Sequence, residues 1–121
     1  MIQNELSIDT IANTYKNLSN YIIKTPLIES GPLINELLDS KIFFKLEFLQ
    51  NSGTFKARGA INNVLNLKKE IFEKGITTIS AGNHAIAASY VANKFKLKNK
   101  IFIYKSANPY KIKKCKEFNS N

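Results

Sequence analysis

The chain of 121 residues has no tryptophan and a single residue each of cysteine, histidine, arginine and methionine. With Cys115 alone, no internal disulfide forms, and one histidine beside one cysteine offers no zinc-ligand spacing. No apolar run approaches the roughly 18 residues of a membrane span. The opening Met1-Ile2-Gln3-Asn4-Glu5 lacks the basic and apolar regions of a secretory signal, which makes the cytoplasm the default expectation, with no membrane partner. Glycine is also sparse: the five glycines are scattered at 31, 53, 59, 75 and 82, and no Gly-x-Gly-x-x-Gly dinucleotide motif occurs. Acidic residues are half as many as basic ones, nine against eighteen, for a formal charge of +9. Nine of the lysines fall in residues 94–121 against Glu117 alone, so the surplus belongs to that stretch. Without a second arginine or glycine-aromatic interleaving, the stretch reads as a solvated surface and not as a nucleic-acid interface.

What remains is an ordinary globular composition, 44% hydrophobic and 22% charged, sized for one modest core. Ile8, Ile11, Ala12, Tyr15 and Leu18 follow the candidate N-cap Ser7 at helical spacing and predict a helix over about 8–19. Thr25-Pro26-Leu27 forces an extended segment, and Ser30-Gly31-Pro32 opens a short helix through Leu38. Residues 42–48 are β-branched and aromatic enough for a strand. A helix then runs from Phe55 to somewhere between Lys68 and Glu73, with Gly75 as its stop. Strands at 76–80 and 100–104 alternate with helices at 85–95 and 109–118. Cys115, in register with Ile112, reads as a packing residue. The fold class expected is α/β, a parallel sheet with flanking helices, and the alternation is interrupted at Asn121.

Two small turns carry the chemistry. Ser52-Gly53-Thr54-Phe55-Lys56 places one of seventeen lysines at the start of an amphipathic helix. Burial and the positive end of a helix dipole both favour the neutral, nucleophilic amine, so Lys56 is expected to be desolvated and aimed inward. Ser80-Ala81-Gly82-Asn83-His84 likewise leads from a strand into a helix and is rich in donors for an anion. Each residue also has a plain structural role open to it: Ser80, Asn83 and His84 as helix caps, Phe55 as core.

The segment Glu47-Phe48-Leu49-Gln50-Asn51-Ser52-Gly53-Thr54-Phe55-Lys56-Ala57-Arg58-Gly59-Ala60 resembles the lysine segment of the pyridoxal-phosphate-dependent threonine/serine dehydratases of fold type II. Ser80-Ala81-Gly82-Asn83-His84-Ala85 is similar to their second loop, and Thr25-Pro26-Leu27 to their early T-P-L. The resemblance implies an incomplete fold type II architecture, with residues 1–50 in the large domain and 51–121 as part of the small one. It implies pyridoxal 5'-phosphate as cofactor, joined as a Schiff base to Lys56, which also moves the substrate Cα proton. Phe55 and Asn83 would then be cofactor-binding, and Ser80, Gly82, Asn83 and His84 would bind the substrate carboxylate. Water would be eliminated from threonine or serine to give a 2-oxo acid and ammonia.

Ala81 stands where the related serine racemases carry a serine, which favours dehydration. Ile86 and Ala87 replace the family's usual Gln-Gly and so remove a polar side chain beside the loop. Relatives of this kind run to two or three times this length and carry a glycine-rich phosphate loop further along. The expectation is therefore an N-terminal third, active only with a C-terminal portion that a complementing fragment could supply. The alternative is a non-catalytic remnant or interaction module. Homo-oligomers are expected of a complete family member, and uncovered apolar faces of the segment alone.

Overall fold

The computed structural model describes residues 6–120. Ser7 and Thr10 cap the first helix, α1 (Ile8–Leu18), reciprocally: Ser7 Oγ accepts the Thr10 N–H at 3.1 Å and Thr10 Oγ1 accepts the Ser7 N–H at 2.9 Å. The chain then extends into β1 (Leu27–Glu29), enters α2 (Pro32–Leu37) with Pro32 in its first turn, and returns as β2 (Phe43–Lys45). These strands pair antiparallel, Leu27 opposite Lys45 and Glu29 opposite Phe43. The intervening segment is a short return, closed by the Ser30 N–H donating to the Ile42 carbonyl at 2.8 Å, and a parallel pairing needs a longer crossover. The strand expected to reach residue 48 stops at Lys45, because Glu47–Leu49 winds into one 3₁₀ turn.

Helix α3 (Lys56–Leu65) is shorter than its apolar stripe suggested. At Asn66 the side-chain amide adds a bond to the Asn62 carbonyl at 2.7 Å while the backbone N–H is shared between the Asn62 and Asn63 carbonyls; the Leu67 N–H then donates to Val64 and not to Asn63, and Lys68 turns extended before α4 (Lys69–Lys74) restarts. Gly75 follows with φ +89°, and a Cβ there would lie 2.2 Å from the Lys98 carbonyl oxygen, so no other residue fits without movement. The expected parallel β-α-β unit comes next: β3 (Ile76–Ile79), α5 (Asn83–Lys94) and β4 (Asn99–Phe102), with Ile76 opposite Asn99 and Ile79 opposite Phe102. Asn108 caps the last helix, α6 (Pro109–Glu117), by accepting the Tyr110 N–H at 2.9 Å.

The centre of the molecule is α5. Its Ala85–Ser89, Val91 and Ala92 are all buried, and the run of small side chains lets α3 approach on one side and α6 on the other. Ala57, Ile61 and Val64 of α3 meet Val91, Ala92 and Leu18 in the larger cluster. Ala85 and Ile86 meet Cys115 in the smaller one, so Cys115 is a packing residue, as its register indicated. Other apolar surface is open. Ile79 and Phe102, partners in the ladder, are 81% and 54% exposed, and Leu27, Ile28, Phe43 and Phe44 of the first ladder are exposed too, which matches the expected uncovered faces. Among the described residues, no helix is long and apolar enough to cross a membrane.

Candidate functional site

The turn that precedes α3 is built on buried polar side chains. Thr25, Gln50, Ser52 and Thr54 are buried, and with Ser89 they make up the buried polar residues among those described. Such groups are stable inside only when hydrogen-bonded, and here their bonds define the loop. The Gln50 amide grips the backbone of Ile23, accepting its N–H at 2.8 Å and donating to its carbonyl at 3.0 Å. The Asn51 amide donates to the Tyr21 carbonyl at 3.0 Å. Gly53, at φ +72°, turns the chain, with its N–H donating to the Gln50 carbonyl at 2.6 Å, and Thr54 Oγ1 accepts the Lys56 N–H at 3.0 Å.

An ion pair closes this loop from outside. Arg58 donates from Nε to Glu47 Oε2 at 2.9 Å and from Nη2 to Glu47 Oε1 at 2.7 Å. Thr25 Oγ1 donates to the same carboxylate at 2.5 Å, and Lys45 Nζ fixes the Thr25 carbonyl at 2.6 Å. The guanidinium hydrogen bonds lead a set of interactions that outweigh burial and hold the Glu47 carboxyl down at about 2, and the same contact raises Arg58 above its ordinary value. Glu47, Gln50 and Arg58 stand in the segment that resembles the family's lysine motif, but sequence reasoning assigned none of them a role. The available signal was the placement of the sole arginine eleven residues after a glutamate, bracketing the lysine.

Lys56 itself is the first residue of α3 and is exposed, which corrects the expectation of a desolvated amine. The reason is helical geometry: Ala57, Ile61 and Val64 take the core face, and Lys56 lies about 100° round the axis from Ala57. Its Nζ stands 5.2 Å from the centroid of the Phe55 ring, a cation–π distance. Phe55 is 55% exposed and therefore not core. Lys56, Ala60 and Asn63 share one stripe of α3 at spacings of four and three. Ala60 and Asn63 line a cavity of about 150 Å³ with His84 from the first turn of α5, together with Thr78 of β3 and Ala88. The stripe of α3 that begins with Lys56 thus runs, one turn further on, into a cavity wall shared with His84.

At the second turn, Ser80 and Gly82 are half-buried, and Asn83 and His84 are exposed. The helix cap is Gly82, with no side-chain capping bond, so neither Asn83 nor His84 plays the capping role left open for them. Ser80 Oγ accepts the Gly82 N–H at 3.2 Å, which leaves its hydroxyl proton free to donate elsewhere. Ile86 is 3% exposed and packs with Ala85 and Cys115, so its departure from the family's glutamine alters the α5–α6 core and not the loop rim.

A family profile described as "Pyridoxal-phosphate dependent enzyme" matches residues 18–121. The chain is 34% identical over 111 residues to the phenylserine dehydratase of Ralstonia pickettii, covering 92% of this chain and 34% of that protein. It is 35% identical over 117 residues to a biosynthetic L-threonine dehydratase of Staphylococcus epidermidis, covering 97% and 28% respectively. The solved structure of maize serine racemase superposes with a TM-score of 0.87 at 33% identity, over 95% of this chain and 35% of that one. The chain thus spans about a third of the length of the relatives it matches.

The residues present fit one side of the cofactor of this family. Lys56 supplies an accessible amine beside an aromatic ring, Asn83 an exposed amide, and Gly59 leaves its stretch of backbone open, with nothing within 4 Å of an added Cβ. By profile, by identity over nearly its whole length and by fold, the chain belongs to the pyridoxal-phosphate-dependent enzymes, in the fold type II group that includes threonine dehydratases and serine racemases.

Proposed function

We propose that the chain is the N-terminal segment of a threonine/serine ammonia-lyase, which removes water from a hydroxy-amino acid and yields a 2-oxo acid and ammonia. The observation that carries this reading is that Ala60 and Asn63, on the stripe of α3 that begins with Lys56, line one cavity with His84 from the first turn of α5. Pyridoxal phosphate, when bound, supplies an electron-withdrawing ring that stabilises negative charge at the substrate Cα. Lys56 would hold the cofactor by its side chain and, once released, accept the Cα proton at Nζ. Phe55 flanks the amine, and the Asn83 amide is available to the 3-oxygen of the ring. The backbone N–H groups of Asn83 and His84 open a twelve-residue helix and, with the free Ser80 hydroxyl proton, suit the substrate carboxylate.

In the net reaction the Cα–H and Cβ–O bonds break, the hydroxyl leaves as water, and hydrolysis releases ammonia. Ala81 stands where serine racemases carry a serine, and its methyl group has no exchangeable proton to deliver to Cα, which supports elimination over racemisation. The chain alone is expected to bind and not to turn over, because none of its scattered glycines forms a phosphate cradle.

Two experiments test the reading. Borohydride trapping of the chain with pyridoxal phosphate, followed by peptide mapping, should label Lys56 ahead of the other sixteen lysines. A chimera joining this chain to the remaining two-thirds of the R. pickettii relative should release 2-oxobutanoate from threonine or pyruvate from serine. Labelling spread over many lysines, or a chimera that racemises serine without keto acid, would overturn it.

A further inference from the structure

We infer that Glu47 and Arg58 are positioning residues for Lys56, acting together through the loop that they bracket. The inference rests on the proposed cofactor role of Lys56 and deepens it. Glu47 opens the segment that leads into the turn and Arg58 lies two residues beyond the lysine, so their two-pronged contact at 2.7 and 2.9 Å ties the ends of residues 47–58 together. A planar guanidinium on a carboxylate fixes orientation as well as distance, which a lysine at position 58 cannot do. The carboxylate is itself held, since Thr25 donates to it and Thr25 is in turn held by Lys45.

Within the bracket, Gln50, Ser52 and Thr54 are buried, and the lysine is exposed. The exposed amine stands beside the Phe55 ring, which is itself exposed and so fixes little of its direction. Its direction is inherited from the first turn of α3, and Arg58 is the residue of that turn that reaches back across the loop. Neither residue of the pair lines the cavity that Ala60, Asn63 and His84 share.

The test uses the 121-residue chain with Glu47→Gln, Arg58→Lys, Arg58→Gln and the double variant Glu47→Gln/Arg58→Gln, at a temperature where circular dichroism shows each folded. Ile61→Val, which weakens the core without touching the loop, is the control for stability alone. Two quantities are read: hydrogen exchange of the amides of residues 53–58 without cofactor, and the selectivity of borohydride trapping with pyridoxal phosphate for Lys56 over the other lysines.

Each single variant at the pair should speed exchange in 53–58 by about tenfold and cut the selectivity by a similar factor, while exchange in Ala88–Ala92 holds. The double variant should lose no more than the worse single one, as coupled residues do. Ile61→Val should leave the selectivity unchanged. Unchanged exchange and selectivity in the single variants, additive losses in the double, or an equal loss in Ile61→Val would overturn the inference while leaving the cofactor lysine intact. A wild-type chain that shows no preference for Lys56 would overturn that reading and this inference together.

Discussion

Replacing Glu47 by glutamine should cost stability that depends on pH, and the dependence follows from the structure. The carboxyl is held at about 2 against an ordinary 4.5, chiefly by the Arg58 hydrogen bonds. That depression corresponds to about 3 kcal/mol of preference for the ionised form in the folded chain. The Glu47 side chain is 16% exposed and that of Arg58 26%, so solvent screens part of the interaction and about 2 kcal/mol is the working figure. Because the folded value is depressed, the contribution is complete above about 4.5 and is lost as pH falls toward about 2. Urea unfolding followed by circular dichroism, wild type against Glu47→Gln, should show a gap of about 2 kcal/mol near neutral pH. The gap should close across that acid window. A gap of constant size from neutral pH to about 2 would mean that the glutamate acts by packing and would refute the electrostatic argument.

Gln50→Ala removes a buried side chain that partners both the amide and the carbonyl of the exposed Ile23, and should cost about 1–2 kcal/mol by the same unfolding assay. Gly75→Ala should cost at least about 2 kcal/mol, since a methyl group would meet the Lys98 carbonyl at 2.2 Å and the backbone sits at φ +89°. Thermal unfolding reads this directly, and a neutral result would place the strain elsewhere. Lys56→Ala, at an exposed helix start, should change stability by less than about 0.5 kcal/mol while abolishing the selective borohydride label.

Much of the architecture was legible because it is local. The Ser7 cap, Pro32 in the first turn of α2, Gly75 as a stop and the alternation of β3, α5 and β4 each rest on one residue's chemistry or one short period. The failures come where a side chain's partner is distant or competes locally. Asn66 reads as one more polar position on the outside of a helix until its amide adds a bond to the Asn62 carbonyl. The antiparallel pairing of β1 with β2 depends on a return whose geometry no periodicity encodes.

The site shows the same division with more consequence. Lys56 and the loop at 80–84 stood out by motif, and the packing of α3 on α5 sets Ala60, one turn after the lysine, on the same cavity as His84. The argument for a buried amine failed because it assigned the cost of desolvation to the wrong residues. Around this turn the buried polar residues are Gln50, Ser52, Thr54 and Thr25, each hydrogen-bonded to backbone or to the Glu47 carboxylate that Arg58 holds. Fixing a loop from behind leaves the amine in front accessible to a cofactor aldehyde, whereas burying the amine would secure it at the expense of access. Under the role proposed for Lys56, the hydrogen-bonded polar scaffold and the exposed lysine are two parts of one device: the scaffold carries the entropy cost of aim, and accessibility is retained for the step in which the lysine is reached.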